Sequence, residues 1–278
     1  MLKQFSFTAI KGLVIGGTML VPGVTLPGVS GGSMAMILGI YQKLISAISS
    51  FWENKKKNLI FLLLFSAGAV LGMVLFAKPL LRLIDTFPLP TMYFFIGAVA
   101  GGVPMICRQA KIKAFSFKIP LYILLGAAIV VGISVIPAGT SGSQSENWFF
   151  SAVLLILAGL IAAVALILPG ISVSYLLLLL GLYDKTMQAI SEFYMPFLIP
   201  LAIGLIVGII AATKLLERAM DRHPQPTYLM ILGFILGSIF NIFPGIPSLP
   251  QAPVCLLTFA AGFTAIYFLS KKEAQGTN

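Results

Sequence analysis

The chain has 278 residues, 59% hydrophobic and 9% charged, with a mean hydropathy of +1.03 and a net charge of +10. Ordinary soluble domains carry about a quarter charged residues, so a soluble fold is excluded, and the apolar runs lack the short alternating strands of a membrane barrel. The basic excess does not call for nucleic acid, because lysine and arginine collect in the cytoplasmic loops of membrane proteins.

Residues 5–24 are apolar and lead into Pro22-Gly-Val-Thr-Leu-Pro-Gly-Val-Ser-Gly-Gly-Ser33, where prolines and glycines interrupt the run. The basic start resembles a signal peptide, but the repeat described below begins inside it, so the segment is expected to stay. Residues 30–49 resume a helical pattern, and Lys55, Lys56 and Lys57 end it at a water interface. Spans are predicted over 59–77, 91–107 and 120–137, separated by a short polar segment at 78–90 and a basic loop at 108–118. Residues 138–147 form a polar loop without lysine or arginine. Residues 148–168 then lead into a second break, Leu168-Pro-Gly-Ile-Ser-Val-Ser174, and 171–191 leave it. Spans follow at 197–213, 228–243 and 254–269, with charged residues at 214–226 and a proline-rich turn at 244–253.

The two halves repeat one plan. At an offset of 142, residues 26–49 and 168–191 share eleven identities in 24 positions, including the Leu-Pro-Gly-x-Ser core, Gly39/Gly181, Tyr41/Tyr183 and Lys43/Lys185. At an offset of 136, Gly68, Gly72, Lys78, Arg82, Asp85, Pro88, Pro90, Thr91, Gly97 and Gly101 match Gly204, Gly208, Lys214, Arg218, Asp221, Pro224, Pro226, Thr227, Gly233 and Gly237. Chance alignment of two apolar stretches would match leucines and valines, not charges and prolines. The reading is one all-α polytopic membrane domain over 1–278, with repeat 1 about 1–137 and repeat 2 about 148–270. Each half is a re-entrant, broken helical hairpin plus three transmembrane helices.

If each hairpin enters and leaves on one side, three further spans give the halves opposite polarity. With both termini cytoplasmic, fifteen basic residues lie inside and three (Lys78, Arg82 and Lys185) lie outside. Inverted-topology repeats of this kind are the architecture of secondary transporters. The paired glycines at i,i+4 (Gly68/Gly72, Gly97/Gly101 and their partners) read as close helix packing.

A helix starting just after Leu-Pro-Gly offers unpaired amides and roughly half a positive charge. Ser30 and Ser172 are placed to cap it or to donate, and Gly31 and Gly32 would let an anion approach the backbone. Two such ends meeting near the midplane make an anion site, and the reading is that it takes a phosphate. A plain turn between two full spans, with the serines as caps, is the competing explanation. Lys78/Arg82 and Lys214/Arg218 have i,i+4 spacing and read either as basic vestibules or as snorkelling charge. Lys43 and Lys185, inside the helices that follow the breaks, are candidates for gating a headgroup. His223 reads as a solvated loop residue, and Cys107 and Cys255 fall on opposite faces, so neither a metal site nor a disulfide is expected. No Walker motif, nucleophile elbow or aspartate-rich motif is present, so no enzyme and no cofactor are expected.

Pro27-Gly-Val-Ser-Gly-Gly-Ser33, with Leu168-Pro-Gly-Ile-Ser172 after mid-chain, resembles the bacterial and archaeal polyprenyl-phosphate transporter family, and the likeness covers essentially the whole chain. The resemblance implies translocation of undecaprenyl phosphate from the outer to the inner leaflet of the cytoplasmic membrane, for reuse of the carrier lipid of cell-wall sugars. It puts the family motif on Pro27, Gly28, Ser30, Gly31, Gly32 and Ser33, and its repeat on Pro169, Gly170, Ser172 and Ser174. The second copy departs from the first, with Val173, Ser174 and Tyr175 in place of Gly31, Gly32 and Ser33. The expected partners are the lipid phosphate and the membrane, with room for a homo-oligomer. Proton or potential coupling is expected for an anion moved inward. The rivals are a carrier of a small soluble anion, a membrane enzyme acting on polyprenyl phosphate, and a structural subunit.

Overall fold

The computed structural model describes residues 31–112, 117–136 and 148–276; Pro27, Gly28 and Ser30, the apolar segment before them and the 138–147 loop lie outside the described residues. Among the described residues all regular structure is helical. The helices are α1 (Gly31–Ile37), α2 (Tyr41–Ser49), α3 (Lys55–Thr86), α4 (Pro88–Gln109), α5 (Lys118–Val135), α6 (Trp148–Ile167), α7 (Val173–Leu179), α8 (Tyr183–Ser191), α9 (Met195–Arg222), α10 (Pro224–Ile242) and α11 (Ala252–Gly276). Among the described residues five helices are long and apolar enough to cross a membrane, and Ser151–Ile167 and Pro224–Phe240 are shorter apolar helices. Large apolar side chains such as Leu63, Val74, Leu124, Ile206 and Leu257 stand exposed on these helices. In water such a surface would drive aggregation; in lipid it is the solvated face. The chain is therefore a multi-pass membrane protein.

Matched residues in the two halves do matched work. Gly39 and Gly181 adopt positive φ (68° and 65°) and end the short helices α1 and α7. In each case the amide after the glycine reaches back five residues (Ile40 N to Ala35 O, 3.0 Å; Leu182 N to Leu177 O, 2.8 Å), the geometry of a Schellman stop. A single residue, Phe87 or His223, separates α3 from α4 and α9 from α10, with a proline opening the following helix. Thr91 Oγ1 donates to Phe87 O (2.7 Å) and Thr227 Oγ1 to His223 O (2.8 Å), each also reaching a carbonyl of the preceding helix. These corners differ from the sequence expectation in one respect. The helices run past the predicted span ends at 77 and 213: α3 and α9 stay helical through Lys78, Arg82, Lys214 and Arg218, in keeping with their i,i+4 spacing. At 1.5 Å per residue the 32-residue α3 spans about 48 Å, more than the ~30 Å hydrocarbon layer, so its charged end emerges as helix.

Three helix pairs form the framework: α4 with α11, α5 with α10, and α6 with α9. Each is closed by glycine. A Cβ on Gly97 would lie 2.1 Å from the Phe259 carbonyl, and one on Gly101 would lie 2.4 Å from that of Phe263. In the second pair a Cβ on Gly233 would lie 2.2 Å from Ile123 O, and one on Gly237 would lie 3.0 Å from Ala127 O. Gly204 and Gly208 rest on Ile156 and Leu160 of α6. In all three, contacts advance in step along both helices, so the partners run in the same direction. The first two pairs map onto each other with every number shifted by 136 and the halves exchanged (Gly97–Phe259 becomes Gly233–Ile123). The buried core lies between them, around Phe95, Val99, Ile106, Leu229, Ile231 and Ile235, and takes in the short helices α1 and α2.

Candidate functional site

The second break begins where α6 stops at Ile167. Pro169 has no amide to donate, and Gly170 turns the chain at φ +89° with its Cα against α10: a Cβ there would sit 2.4 Å from the Phe234 carbonyl. Phe234 is near the middle of α10, and Pro169, Gly170 and Ile171 are all buried. Ser172 then caps α7, its Oγ accepting from Tyr175 N at 3.3 Å. The cap expected of Ser172 is therefore present; its hydroxyl hydrogen is left to donate elsewhere.

The described end of the first break, from Gly31 on, comes to the same place. Gly32, in the first turn of α1, faces Pro169, and a Cβ added to it would meet Pro169 Cα at 3.4 Å. Tyr41 Oη donates to Ile167 O at 2.5 Å, across 126 residues, and both residues are buried. The last carbonyls of a helix have no intrahelical partner. Here Tyr41 of α2 supplies one at the end of α6, so the helices that follow the first break are tied to the start of the second. A further tie comes from Tyr175, whose hydroxyl reaches Ser134 O (2.9 Å) and Ile136 O (3.0 Å) at the end of α5. Ser33 is fully buried, while Ser172 and Ser174 are partly so.

The basic residues are distributed along other elements. Lys78 and Arg82 on α3 line a cavity of about 740 Å³ together with Pro79, Leu83, Thr86 and Phe87. Their i,i+4 spacing thus points both heads at one groove with an apolar lining. Lys43 is exposed on α2, with Nζ 4.7 Å from the ring centre of Phe61 on α3. Lys185 is half-buried on α8, and Lys214 and Arg218 are exposed near the end of α9. Cys107 and Cys255 are free thiols. No group of three His, Cys, Asp or Glu able to hold a metal occurs among the described residues.

One cluster lies outside the sequence reading. Ser46 and Ser49 of α2 donate to the two carboxylate oxygens of Glu217 on α9, and Ser50 Oγ lies 3.5 Å from one of them. The serine spacing of 46, 49 and 50 marks one helix face, a signal that was available. Its partner, nearly 170 residues away, was not.

A family model described as undecaprenyl phosphate translocase-like matches residues 15–250. The chain belongs to that family. It is similar to a polyprenyl-phosphate transporter of Staphylococcus aureus, 32% identical over 99% of both chains. A polyprenyl-phosphate transporter of Vibrio cholerae is 30% identical over 85% of this chain and 77% of its own length. No solved structure matches significantly. The family and both relatives are named for transport rather than catalysis, in agreement with the absence of an enzyme signature in the sequence.

Proposed function

We propose that the protein carries undecaprenyl or a related polyprenyl phosphate from the outer to the inner leaflet of the cytoplasmic membrane, so that the carrier lipid is used again. The phosphate is held where the two Leu-Pro-Gly-x-Ser breaks meet, by backbone amides and by Ser30 and Ser172, with Gly28, Gly31, Gly32, Ser33, Gly170 and Ser174 around it. The observation that carries this reading is the apposition of Gly32 and Pro169. α1 of the first half abuts the second break beside the middle of α10, where irregular backbone is tolerated only if it lines a cavity or packs on protein. The burial of Pro169, Gly170 and Ile171 supports a break at depth over a surface turn between full spans.

The halves are read as inverted repeats, with both termini cytoplasmic. The exchanged register of α4–α11 and α10–α5 supports this, because a two-fold relation in the membrane plane carries one pair onto the other. The Lys78/Arg82 groove serves as a vestibule for the headgroup on one face and Lys214/Arg218 on the other, with Lys43 and Lys185 gating between. Only the headgroup crosses; the polyprenyl tail stays in the bilayer beside the exposed apolar faces. Moving one negative charge inward against an inside-negative potential costs ~2.3 kcal/mol per 100 mV, so the movement is coupled to protons or to the potential.

The test is leaflet-resolved measurement of polyprenyl phosphate in proteoliposomes containing the purified protein. Inward movement of the lipid at rates well above protein-free vesicles is expected. Counterflow of free phosphate with no movement of the lipid would replace this reading with a soluble-anion carrier, and dephosphorylated product would replace it with an enzyme.

A further inference from the structure

We propose that Glu217 is a positioning residue of transport: with Ser46, Ser49 and Ser50 it latches the first hairpin, α1 and α2, onto α9, and the latch opens in each transport cycle. The proposal rests on the inverted-repeat transporter reading given above.

The two hairpins are alike in sequence and in element bounds, since α1 and α2 correspond to α7 and α8 at an offset of 142. Their surroundings are not alike. Met36, Leu38 and Ile45 are each 1% exposed, whereas their counterparts Leu178, Leu180 and Met187 are 39%, 36% and 44% exposed. The first hairpin is buried on these faces, and the second, though held at Tyr175 and Ala189, leaves the matching faces exposed. What differs chemically is the latch. The counterparts of Ser46, Ser49 and Ser50 are Gln188, Ser191 and Glu192, all exposed, and Gln188 Nε2 donates to Glu192 Oε1 at 2.8 Å instead of to another helix. The position on α3 that corresponds to Glu217 is Leu81, which has no acceptor. A charged acceptor ringed by hydroxyls therefore exists for one hairpin and has no equivalent for the other.

Two matched hairpins in unlike states are what an exchange mechanism contains at rest, since each state is the other with the halves' roles swapped. For the second hairpin to dock, the first must leave α9, and the bonds from Ser46 and Ser49 to Glu217 are what it breaks. Hydrogen bonds to an ionised acceptor are stronger than neutral ones, so the latch biases the pair toward the docked first hairpin. Tyr41 on Ile167 O belongs to the same hairpin but ties it at the breaks, not at its outgoing end.

The test uses full-length protein in lipid nanodiscs and proteoliposomes, with Cys107→Ala and Cys255→Ala as background. Spin labels at Gln42→Cys on α2 and Leu215→Cys on α9 report their separation. One dominant distance is expected with Glu217 present. Glu217→Leu, which copies Leu81, is expected to add a longer population several-fold above the parent level, and Glu217→Asp to restore the parent distribution. Superimposable distributions for Glu217→Leu and the parent would overturn the latch, whatever the protein carries. In a second arm, Ser46→Cys/Glu217→Cys is closed with a short cleavable thiol cross-linker. Polyprenyl-phosphate transport is expected to fall at least ten-fold when cross-linked and to return on reduction; full transport while cross-linked would overturn the proposal. Should the parent move no lipid phosphate at all, the substrate reading fails, and the distances still decide the latch.

Discussion

Ser172 caps a helix in the structure and donates to phosphate in the proposed function, and the two are separable at the level of single atoms. Its Oγ accepts from Tyr175 N and so caps α7, and the hydroxyl hydrogen is not used by that bond. Glycine at an N-cap costs only a few tenths of a kcal/mol relative to serine, so Ser172→Gly removes the donor and leaves most of the cap. Combined with Ser30→Ala, it is expected to weaken polyprenyl-phosphate binding by at least ten-fold, since one hydrogen bond to a charged group contributes about 1.5–3 kcal/mol. Native mass spectrometry of lipid-bound protein reads this, and thermal unfolding checks that stability has moved little. Equal lipid occupancy in the double variant and the parent would remove the serines from the site. Gly170 allows no such dissection. Its positive φ and its approach to the Phe234 carbonyl both require glycine, so a side chain there disturbs the fold before it reports on binding.

Among the elements, the glycine rows are what allow helices to approach backbone to backbone. Lipid tails are as apolar as leucine, so helix association in a bilayer depends on packing and weak polar contacts rather than on expulsion of water. The carbonyls of Phe259 and Ile123 occupy the space a side chain would need at Gly97 and Gly233. Gly97→Leu is expected to lower stability by about 1–3 kcal/mol, the usual cost of overpacking, and Gly233→Leu by a similar amount because its surroundings repeat those of Gly97. Unfolding of the purified variants in a denaturing detergent series measures both. Variants as stable as the parent, or costs differing by several kcal/mol between the two sites, would contradict the shared packing.

At the scale of the whole molecule, the halves contribute to each other rather than folding side by side. α4 of the first packs on α11 of the second, α10 of the second on α5 of the first, and α2 of the first is held by α9 of the second. In the proposed function such a carrier moves by changing which half is docked, and the field across the membrane acts on the charge that moves with it. With one negative charge opposed by ~2.3 kcal/mol per 100 mV, inward transport in proteoliposomes is expected to respond to an imposed potential or pH gradient by several-fold. A rate indifferent to both would mean that the headgroup crosses with its charge compensated inside the protein.

The amino-acid order alone determined what depends on local chemistry and on period. The length and purity of the apolar runs specify membrane helices, proline and glycine specify where they break, and identities at fixed offsets specify a duplicated plan. Gly39/Gly181 and Thr91/Thr227 were legible as matched positions because each serves a turn or corner within a few residues of itself. Helix ends were less legible: lysine and arginine at 78, 82, 214 and 218 look like loop residues, yet a helix longer than the bilayer core carries them without unwinding. Only the tertiary structure decided which surfaces meet. That Gly32 lies on Pro169, that Tyr41 closes the end of α6, and that three serines surround Glu217 are contacts across 126 residues or more. No local propensity encodes such pairs, because each is set by the packing of whole helices.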